Sequence, residues 1–327
     1  MEQDTDAARD SAALKAAQMY YQQDLTMEAI ASELRVSRSS VSRLLSHARA
    51  TGLVDIQVHS PQDRGSVLER ELQDRYKISA YVVPVPDNTS SVDRLERVAM
   101  SAAKIFNRFV DSNMTIGIGW GSTAGAISRH LVPKATHNSV IVQLNGAGNT
   151  QTTGILYASE ILTRFGEAYS AQVQQFPVPT FFDDPLTKEA LWRERSTKRV
   201  LNIQAQMDLV LFGLGSPSAE VPSHVYTGGY LDAADYRSLR DDHVVGDVAT
   251  MFYRGDGSFA DIALNARSSG PDLARLRKVA RKVAVVSGAS KVPSLMGALN
   301  AGLITDLILD EGIARRLLEL PAAPRTR

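Results

Sequence analysis

The chain has 327 residues, of which 44% are hydrophobic and 22% are charged, so it has enough apolar material for a sizeable core and enough length for two folded units. Lys plus Arg and Asp plus Glu both number 36, and this zero net charge excludes binding to nucleic acid by bulk attraction, so that any DNA contact requires a local basic patch. The chain contains no cysteine, which excludes disulfides, thiolate nucleophiles and cysteine-ligated metal centres and is typical of a reducing cytoplasm.

Targeting and membrane segments are not expected. Residues 1–10 carry four acidic side chains and no apolar run, so the sequence predicts neither a signal peptide nor a transit peptide. No run of apolar residues reaches the roughly 18 that a membrane helix needs. We therefore expect a cytoplasmic protein without a membrane partner.

The N-terminal segment has the pattern of three helices. Residues 11–23 form the first, and Thr26 is a plausible N-cap for a second helix at 27–34, since its hydroxyl can accept a backbone N–H of the first turn. Ser37 caps a third helix in the same way. The apolar residues of that helix follow the i, i+3, i+4, i+7 spacing of one buried stripe, and they are Val41, Leu44, Leu45 and Ala48.

A short strand and a boundary follow these helices. Gly52 is predicted to close the third helix, and residues 53–58 to form the wing of a winged domain. The segment 59–66 contains proline, aspartate and glycine, which predicts a boundary between two domains. We therefore divide the chain into a helix-turn-helix domain at 1–59, a linker and connecting helix at 60–77, and a larger domain at 78–327.

The larger domain alternates short apolar runs, rich in β-branched residues, with helical segments. This alternation predicts an α/β domain with a doubly wound parallel sheet that is covered on both faces. The predicted strands are 80–85, 115–118, 140–144, 209–212, 248–252, 283–286 and 307–309.

The second and third helices have the spacing of a helix-turn-helix, in which the third helix lies in the major groove of DNA. Residues 35–54 contain four arginines and no acid, which gives the neutral chain a local basic face. The alternative is two packed helices with solvated arginines. The turn position often filled by glycine is Arg35 here, and a positive φ at such a residue costs about 1 kcal/mol. The predicted DNA contacts are Arg35, Arg38, Ser39, Ser42 and Arg43.

A glycine-containing loop follows the predicted strand at 115–118. It consists of Gly119, Trp120, Gly121, Ser122 and Thr123 and leads into a helix, so that free backbone N–H groups and two hydroxyls can meet an anion. The 48 residues from 112 to 159 contain no acid, which favours an anion site over an ordinary strand-to-helix turn. The loop lacks the third glycine of a dinucleotide fingerprint and the lysine of a Walker loop, so a phosphate of another kind of ligand is predicted.

Further candidates lie beside other predicted strands, where ligands of open α/β sheets bind. Lys291 follows the sequence Ser-Gly-Ala-Ser and could neutralise a phosphate or, if desolvated, attack a sugar carbonyl. Each candidate alone is more often structural. Together with Gly119, Gly121, Ser122 and Thr123, the candidate effector residues are Asn145, Gly146, Asp208, Gly215, Asp247 and Lys291.

No metal site or catalytic triad is predicted. The six histidines show no HxxxH spacing, and no nucleophile, base and acid can be assembled from spacing alone. We therefore expect no metal, no cofactor and no catalytic residue.

These motifs resemble the SorC family of sugar-responsive bacterial regulators over essentially the whole chain after about residue 12. The N-terminal match is the helix-turn-helix of residues 25–45, and the more specific C-terminal match is the Gly-Trp-Gly-Ser-Thr loop with the late Lys291. The resemblance implies an effector domain similar to phosphosugar isomerases but used for sensing, and a homo-oligomer that is usually a tetramer. It also implies that Ser122 and Thr123 bind phosphate and that Lys291 contacts the effector.

Taken together, the sequence predicts a regulator of carbohydrate catabolism genes that binds operator DNA and a phosphorylated sugar or polyol. The alternative is a phosphosugar isomerase or deaminase, in which the same loop holds the substrate phosphate and Asp208 or Asp247 supplies the base. An attached DNA-binding unit disfavours that alternative. A ligand-free DNA-binding structural protein is a third hypothesis, but it leaves the acid-free loop unexplained.

Overall fold

The computed structural model describes residues 2–23, 25–54, 67–217, 219 and 223–320. The chain forms two compact units, residues 1–64 and residues 65–327. No helix in these described ranges combines the length and the apolar composition that crossing a membrane requires.

The smaller unit consists of three helices, α1 (Glu2–Tyr21), α2 (Met27–Leu34) and α3 (Arg38–Ala50). The bounds of α2 confirm the prediction. Helix α1 begins at Glu2, earlier than the predicted residue 11. The sequence pattern did not detect its first turns because they carry no apolar stripe. The predicted wing falls largely outside the described residues, and Leu53 and Val54 do not lie in a strand.

Local chemistry fixes where α2 and α3 begin and end. The Oγ1 atom of Thr26 accepts the N–H of Ala29 at 3.2 Å, and the Oγ atom of Ser37 accepts the N–H of Ser40 at 3.1 Å, which confirms both predicted caps. Arg35 ends α2 in the left-handed region with φ of 53°. Its backbone N–H bonds back into α2, and such capping contacts offset a conformational cost of about 1 kcal/mol.

The core of the smaller unit is made where the three helices meet. Val41, Leu45 and Ala48 of α3 are buried, as is Ile30 of α2. From α1, the buried side chains are Ala13, Ala16, Ala17 and Met19. Small alanines on α1 let α3 pack closely against it, and this leaves the opposite side of α3 in solvent.

The larger unit is built on a seven-stranded, all-parallel sheet. The strands are β1 (Ser79–Val83), β2 (Thr115–Ile118), β3 (Val140–Gln143), β4 (Gln172–Gln174), β5 (Leu209–Gly213), β8 (Arg281–Val286) and β9 (Asp306–Asp310). Their order in the sheet is β1-β9-β8-β5-β2-β3-β4. Parallel strands need crossover connections, which helices supply here. The described helices are α4 (Val67–Tyr76), α5 (Ser91–Asn107), α6 (Ser122–Ser128), α7 (Ile155–Tyr169), α8 (Pro185–Trp192), α9 (Arg195–Gln204), α10 (His224–Thr227), α11 (Ala233–Asp241), α12 (Ala263–Arg267), α13 (Leu273–Leu276), α14 (Val292–Asn300) and α15 (Glu311–Glu319).

The sheet is covered on both faces, as predicted. Alternate residues of a strand point to opposite faces. In β5, Leu209 and Leu211 therefore join a cluster with Phe106 and Phe165, while Phe212 joins another with Leu295. Burial on both faces explains why the central strands are apolar throughout rather than alternating.

Helix α4 belongs to this unit by its packing. Leu72 is fully buried in the core cluster on one face of the sheet. The backbone N–H of Val82 in β1 donates to the Glu69 side chain at 2.8 Å. The helix therefore covers the edge of the sheet next to β1.

One predicted strand is wrong. The apolar run at 248–252 is not a strand of the parallel sheet but the turn of a separate antiparallel hairpin, β6 (Val244–Val248) and β7 (Met251–Arg254). Ala249 and Thr250 form the turn with φ of 46° and 67°. Two-residue hairpin turns need such angles and usually contain Gly or Asn, so an alanine and a threonine gave no turn signal. Thr250 is held instead by its own contacts, including an N–H that donates to Asp247 Oδ2 at 3.1 Å.

Candidate functional site

The exposed side of α3 carries the predicted DNA contacts. Its buried side is the apolar stripe described above, and the residues that face solvent include Arg38, Ser39, Ser42 and Arg43. Arg35, in the turn before α3, is exposed as well. All five predicted residues are therefore accessible to a DNA duplex.

Three charged contacts organise this surface. An ion pair joins Arg38 Nε to Glu28 Oε1 at 2.9 Å. The guanidinium of Arg43 donates to Ser40 Oγ at 3.3 Å. The ring of His47 bonds to Asp10 of α1 at 2.6 Å, so that His47 ties α3 to α1.

A small pocket lies at the carboxyl ends of the central strands of the larger unit. Loops after β2, β3 and β5 converge there with the β6–β7 hairpin and the start of α14. The predicted residues that line it are Gly121, Ser122, Thr123, Asn145, Gly215, Asp247 and Lys291. Residues that were distant in sequence thus surround one space.

Glycines allow this convergence. Gly121 has a φ of 140°, which L residues with side chains rarely adopt, and this turns the chain from β2 into α6. A Cβ on Gly215 would lie 1.7 Å from Asp247 Oδ1, so only glycine lets the hairpin approach the end of β5. Gly215 and Asp247 also exchange two backbone hydrogen bonds, of 2.9 and 3.3 Å.

Asp247 is the acid of the pocket and is 4% exposed. Tyr226 donates its hydroxyl to Oδ1 at 2.9 Å, and the Thr250 N–H reaches Oδ2. Burial raises the pKa of Asp247, while the bonds from Tyr226 and Thr250 and the charge of Lys291 oppose that rise. Burial also raises the pKa of Tyr226, which keeps its hydroxyl proton in place as a donor.

Lys291 is the positively charged residue of the pocket and is 9% exposed. Its Nζ donates to the carbonyl oxygen of Leu214 at 2.6 Å. Burial lowers the pKa of Lys291, and the charge of Asp247 opposes this. An ammonium group has three donors, so this single bond leaves capacity for a ligand.

Two polar atoms of the pocket are buried without a partner in the described part of the chain. They are Asn145 Oδ1 and Ser223 Oγ. The other end of the Asn145 amide contacts Thr250 Oγ1 at 3.4 Å. A buried acceptor without a donor costs about 1–3 kcal/mol, so a hydroxyl-bearing ligand would be stabilised here.

A second small pocket adjoins the first and shares Ser122, Thr123 and Lys291 with it. Hydroxyls line much of it, and none of its described lining residues is acidic. The remaining lining residues are Ser91, Leu95, Ala219, Ser287, Gly288 and Ser290. Lys291 thus stands between a pocket with an acid and an amide and a pocket of hydroxyls.

Three predicted effector residues do not line either pocket. Asp208 lies before β5, at the amino end of the sheet, and its Oδ2 accepts the N–H of Thr115 at 2.9 Å. Gly146 is enclosed, because a Cβ there would lie 2.1 Å from the Val178 carbonyl oxygen. The Gly119 N–H pairs with the Leu211 carbonyl at 3.1 Å. These three residues therefore lie outside the two pockets, and their contact with an effector stays a prediction.

The sequence patterns missed Tyr226, Ser223 and Thr250. Tyr226 lies in a four-residue helix without a detectable period, and Thr250 lies in the unrecognised turn. Trp120 has a role that its position in the loop did not reveal. Its indole N–H donates to the carbonyls of Asn145 and Gly146 at 3.2 and 2.9 Å, which fixes the two loops together.

A larger cavity of about 1160 Å³ is separated from the first small pocket by a contact between Trp120 and Tyr230. Tyr230 lines this cavity, and its ring packs at a tilt of 31° against Trp120 of the small pocket, with centroids 5.3 Å apart. The described charged residues of the cavity are four aspartates and one arginine, Arg267, which is bound to Asp235 at 2.6 Å. An anionic ligand is therefore better matched by the two small pockets.

Models of known protein families match both units of the chain. A family model for a sugar-binding domain matches residues 60–319, and a model of the MarR family matches residues 17–64. The first match covers most of the chain and includes every residue of the two small pockets.

Relatives match over nearly their full length. A deoxyribonucleoside regulator of Bacillus subtilis (strain 168) is 30% identical over 316 residues, which cover 96% of this chain and 99% of that protein. The sorbitol operon regulator of Klebsiella pneumoniae is 24% identical and covers 94% of this chain and 97% of its own.

Solved structures agree on the fold. A domain described as that of a possible sugar-binding transcriptional regulator from Arthrobacter aurescens TC1 is 55% identical with a TM-score of 0.74, and the match covers 80% of this chain and 100% of that domain. Full-length SorC from Klebsiella pneumoniae is 23% identical with a TM-score of 0.70, covering 95% and 99% of the two chains.

Proposed function

The chain belongs to the SorC family of sugar-binding transcriptional regulators, and from this premise we propose that its effector is a phosphorylated sugar or polyol that controls carbohydrate catabolism genes. The observation that carries the proposal is the position of Lys291. The only cation that lines the two small pockets, within the described residues, is a buried ammonium shared by both. Such a group favours an anionic ligand.

The hydroxyl-lined pocket suits the phosphate. Ser122 and Thr123 offer hydroxyl donors beside Lys291, and charge-assisted hydrogen bonds of this kind are about twice as strong as neutral ones. The described lining includes no carboxylate that would repel a phosphate. We therefore place the phosphate of the effector between this loop and Lys291.

The other pocket suits the hydroxyl groups of the effector. Asn145 Oδ1 and Ser223 Oγ have no partner among the described residues, and Asp247 has accepting capacity beyond its two bonds. Sugar and polyol hydroxyls are donors that would satisfy these acceptors. An acceptor-rich pocket beside a phosphate pocket fits a phosphorylated polyhydroxyl compound.

The two pockets are small, with volumes of about 40 and 30 Å³, and they adjoin each other at Ser122, Thr123 and Lys291. A ligand that binds one conformational state of a protein better than another shifts the protein toward that state, and an effector can act on a regulator in this way.

An isomerase or deaminase is the second candidate, and Asp247 is the only carboxylate among the described residues that line the two pockets. Both oxygens of that carboxylate already accept hydrogen bonds, from Tyr226 and Thr250. These contacts support a positioning role for Asp247 over proton abstraction, and the relatives are regulators. We therefore propose sensing without turnover, in the cytoplasm.

The effector can be found by thermal unfolding of the full chain with a panel of sugar phosphates, polyol phosphates and their unphosphorylated parents. A ligand at 100 times its dissociation constant stabilises the folded state by about 2.7 kcal/mol. We expect only phosphorylated compounds to raise the unfolding temperature. Stabilisation by an unphosphorylated parent alone would contradict the proposal.

Replacing Lys291 by methionine should weaken effector binding by about 1.5–3 kcal/mol, the contribution of a hydrogen bond to a charged group. Calorimetric titration of both proteins measures this loss. Lys278→Met is the matched control, because Lys278 is exposed and lines neither pocket. Equal affinities for wild type and Lys291→Met would remove Lys291 from the site.

Replacing Arg38 or Arg43 by alanine should weaken operator binding by about 1–3 kcal/mol if the residue reads a base, and should reduce the salt dependence if it meets a phosphate. Gel-shift titrations at several salt concentrations distinguish the two roles. Arg237→Ala, an exposed change in the larger unit, controls for net charge. Wild-type affinity and salt dependence in both variants would show that α3 does not dock on DNA.

We also propose that the chain acts as a homo-oligomer, as its family resemblance implies. Helix-turn-helix proteins bind two half-sites through two symmetric copies, so one smaller unit reads half an operator. Sedimentation equilibrium with and without operator DNA tests for the expected tetramer. A monomer under both conditions would contradict it.

A further inference from the structure

Two charged side chains contact each other at the start of the two helices that form the helix-turn-helix. Arg38 is the first residue of α3, and Glu28 is the second residue of α2. Their ion pair joins Nε of the guanidinium to a carboxylate oxygen at 2.9 Å. The side chains are 70% and 64% exposed.

Stability does not explain this pair. Ion pairs between exposed side chains contribute little to the folded state, because water screens them and ordering two long side chains costs entropy. A carboxylate on a DNA-facing surface also repels phosphates and so weakens non-specific binding. Glu28 therefore opposes DNA affinity unless it assists a more specific contact.

The geometry of the pair indicates such a contact. The carboxylate lies nearest to Nε, at the side of the guanidinium, as an ion pair rather than a directed hydrogen bond, and no hydrogen bond among the described residues involves either terminal nitrogen of Arg38. These two nitrogens form the outer edge of a planar fork. That fork matches the O6 and N7 acceptors that guanine presents in the major groove.

The position of Arg38 suits the same role. The N-terminal residues of a recognition helix contact base edges, and Arg38 is the first residue of α3. We propose that Arg38 reads a guanine in each operator half-site, and that Glu28 is a positioning residue that holds the Arg38 guanidinium in the orientation for this bidentate contact.

The inference rests on the docking of α3 in the major groove. It adds that Glu28 lowers total DNA affinity while it raises sequence discrimination. Glu28→Gln keeps the size of the side chain and removes its charge. Glu33→Gln is the matched control, since Glu33 is an exposed acid on the same helix. Both variants should bind random-sequence DNA more tightly than the wild type by a similar factor.

The test is selection of full-length protein variants on a library of random DNA duplexes, followed by sequencing of the bound fraction. The wild type should enrich guanine at one position of each half-site, and Arg38→Ala should lose that enrichment. Glu28→Gln should reduce the guanine enrichment about 10-fold, whereas Glu33→Gln should keep it. In an Arg38→Ala background, Glu28→Gln should change discrimination no further.

Two outcomes would overturn the inference. Equal guanine enrichment in Glu28→Gln and Glu33→Gln would mean that Glu28 acts only through its charge. Retained enrichment in Arg38→Ala would mean that another residue reads the guanine. Failure of the docking itself is distinct, because then Arg38→Ala and Arg43→Ala would both select the wild-type sequence with wild-type affinity.

Discussion

Replacing Thr123 by aspartate should abolish the response to a phosphorylated effector while operator binding remains. Thr123 is buried and lines both small pockets together with Lys291. The new carboxylate would repel the effector phosphate and compete with it for the lysine ammonium. At an effective dielectric constant of about 20, two like charges about 4 Å apart repel by about 4 kcal/mol, which corresponds to roughly 1000-fold in affinity.

Thr123→Asn is the matched control, because asparagine has nearly the shape of aspartate without its charge. We expect it to lose much less affinity. Thermal unfolding of both variants without ligand checks that the pocket is folded, and gel shifts with and without effector measure the response. An effector response of wild-type size in Thr123→Asp would remove the loop from the phosphate site.

Replacing Gly146 by alanine should destabilise the larger unit by about 3 kcal/mol, a large overpacking effect. The added Cβ would lie 2.1 Å from the Val178 carbonyl oxygen and 2.5 Å from that of Pro179. Both are backbone atoms, so no side chain can rotate to make space. Denaturant unfolding monitored in residues 65–327 of the intact chain measures the change.

Gly119→Ala is the control for this prediction. Its Cβ would meet Phe212 Cβ at 3.7 Å, an ordinary van der Waals distance, so we expect a change below about 1 kcal/mol. The pair of variants separates a structural glycine from a tolerant one within the predicted effector set. If Gly146→Ala were as stable as the wild type but failed to bind effector, Gly146 would be a ligand contact after all.

The helix-turn-helix could be predicted well because its signals are local. Caps at Thr26 and Ser37 and the stripe through Val41 act within one or two helical turns, and the structure confirms them. The central strands could be predicted because burial on both faces makes them apolar. The edge strand Gln172–Gln174 was missed, since it is short, polar and only partly buried.

The residues that line the two pockets were predictable in part, and those that the sequence misplaced or missed have a common cause. A sequence shows that a residue lies beside a strand, but the chemistry depends on which end of the sheet it occupies. Asp208 precedes β5, whereas Gly215 follows it, so only Gly215 reaches the pocket. Ser223 and Tyr226 belong to a segment that is distant in the sequence, and the fold brings this segment to the pocket. No local sequence pattern encodes that placement.

The β6–β7 hairpin offers a route for changing effector preference. The hairpin lies outside the seven-stranded sheet and is connected to the end of β5 by the β-bridge between Gly215 and Asp247. It contributes Asp247 and Thr250 to the pocket. Exchange of this segment between relatives would alter the acceptors that we propose for the sugar hydroxyls, while the loop that we propose for the phosphate and the sheet stay unchanged. If the proposed site is right, recombination at the hairpin would change the effector preference of a regulator without rebuilding its core.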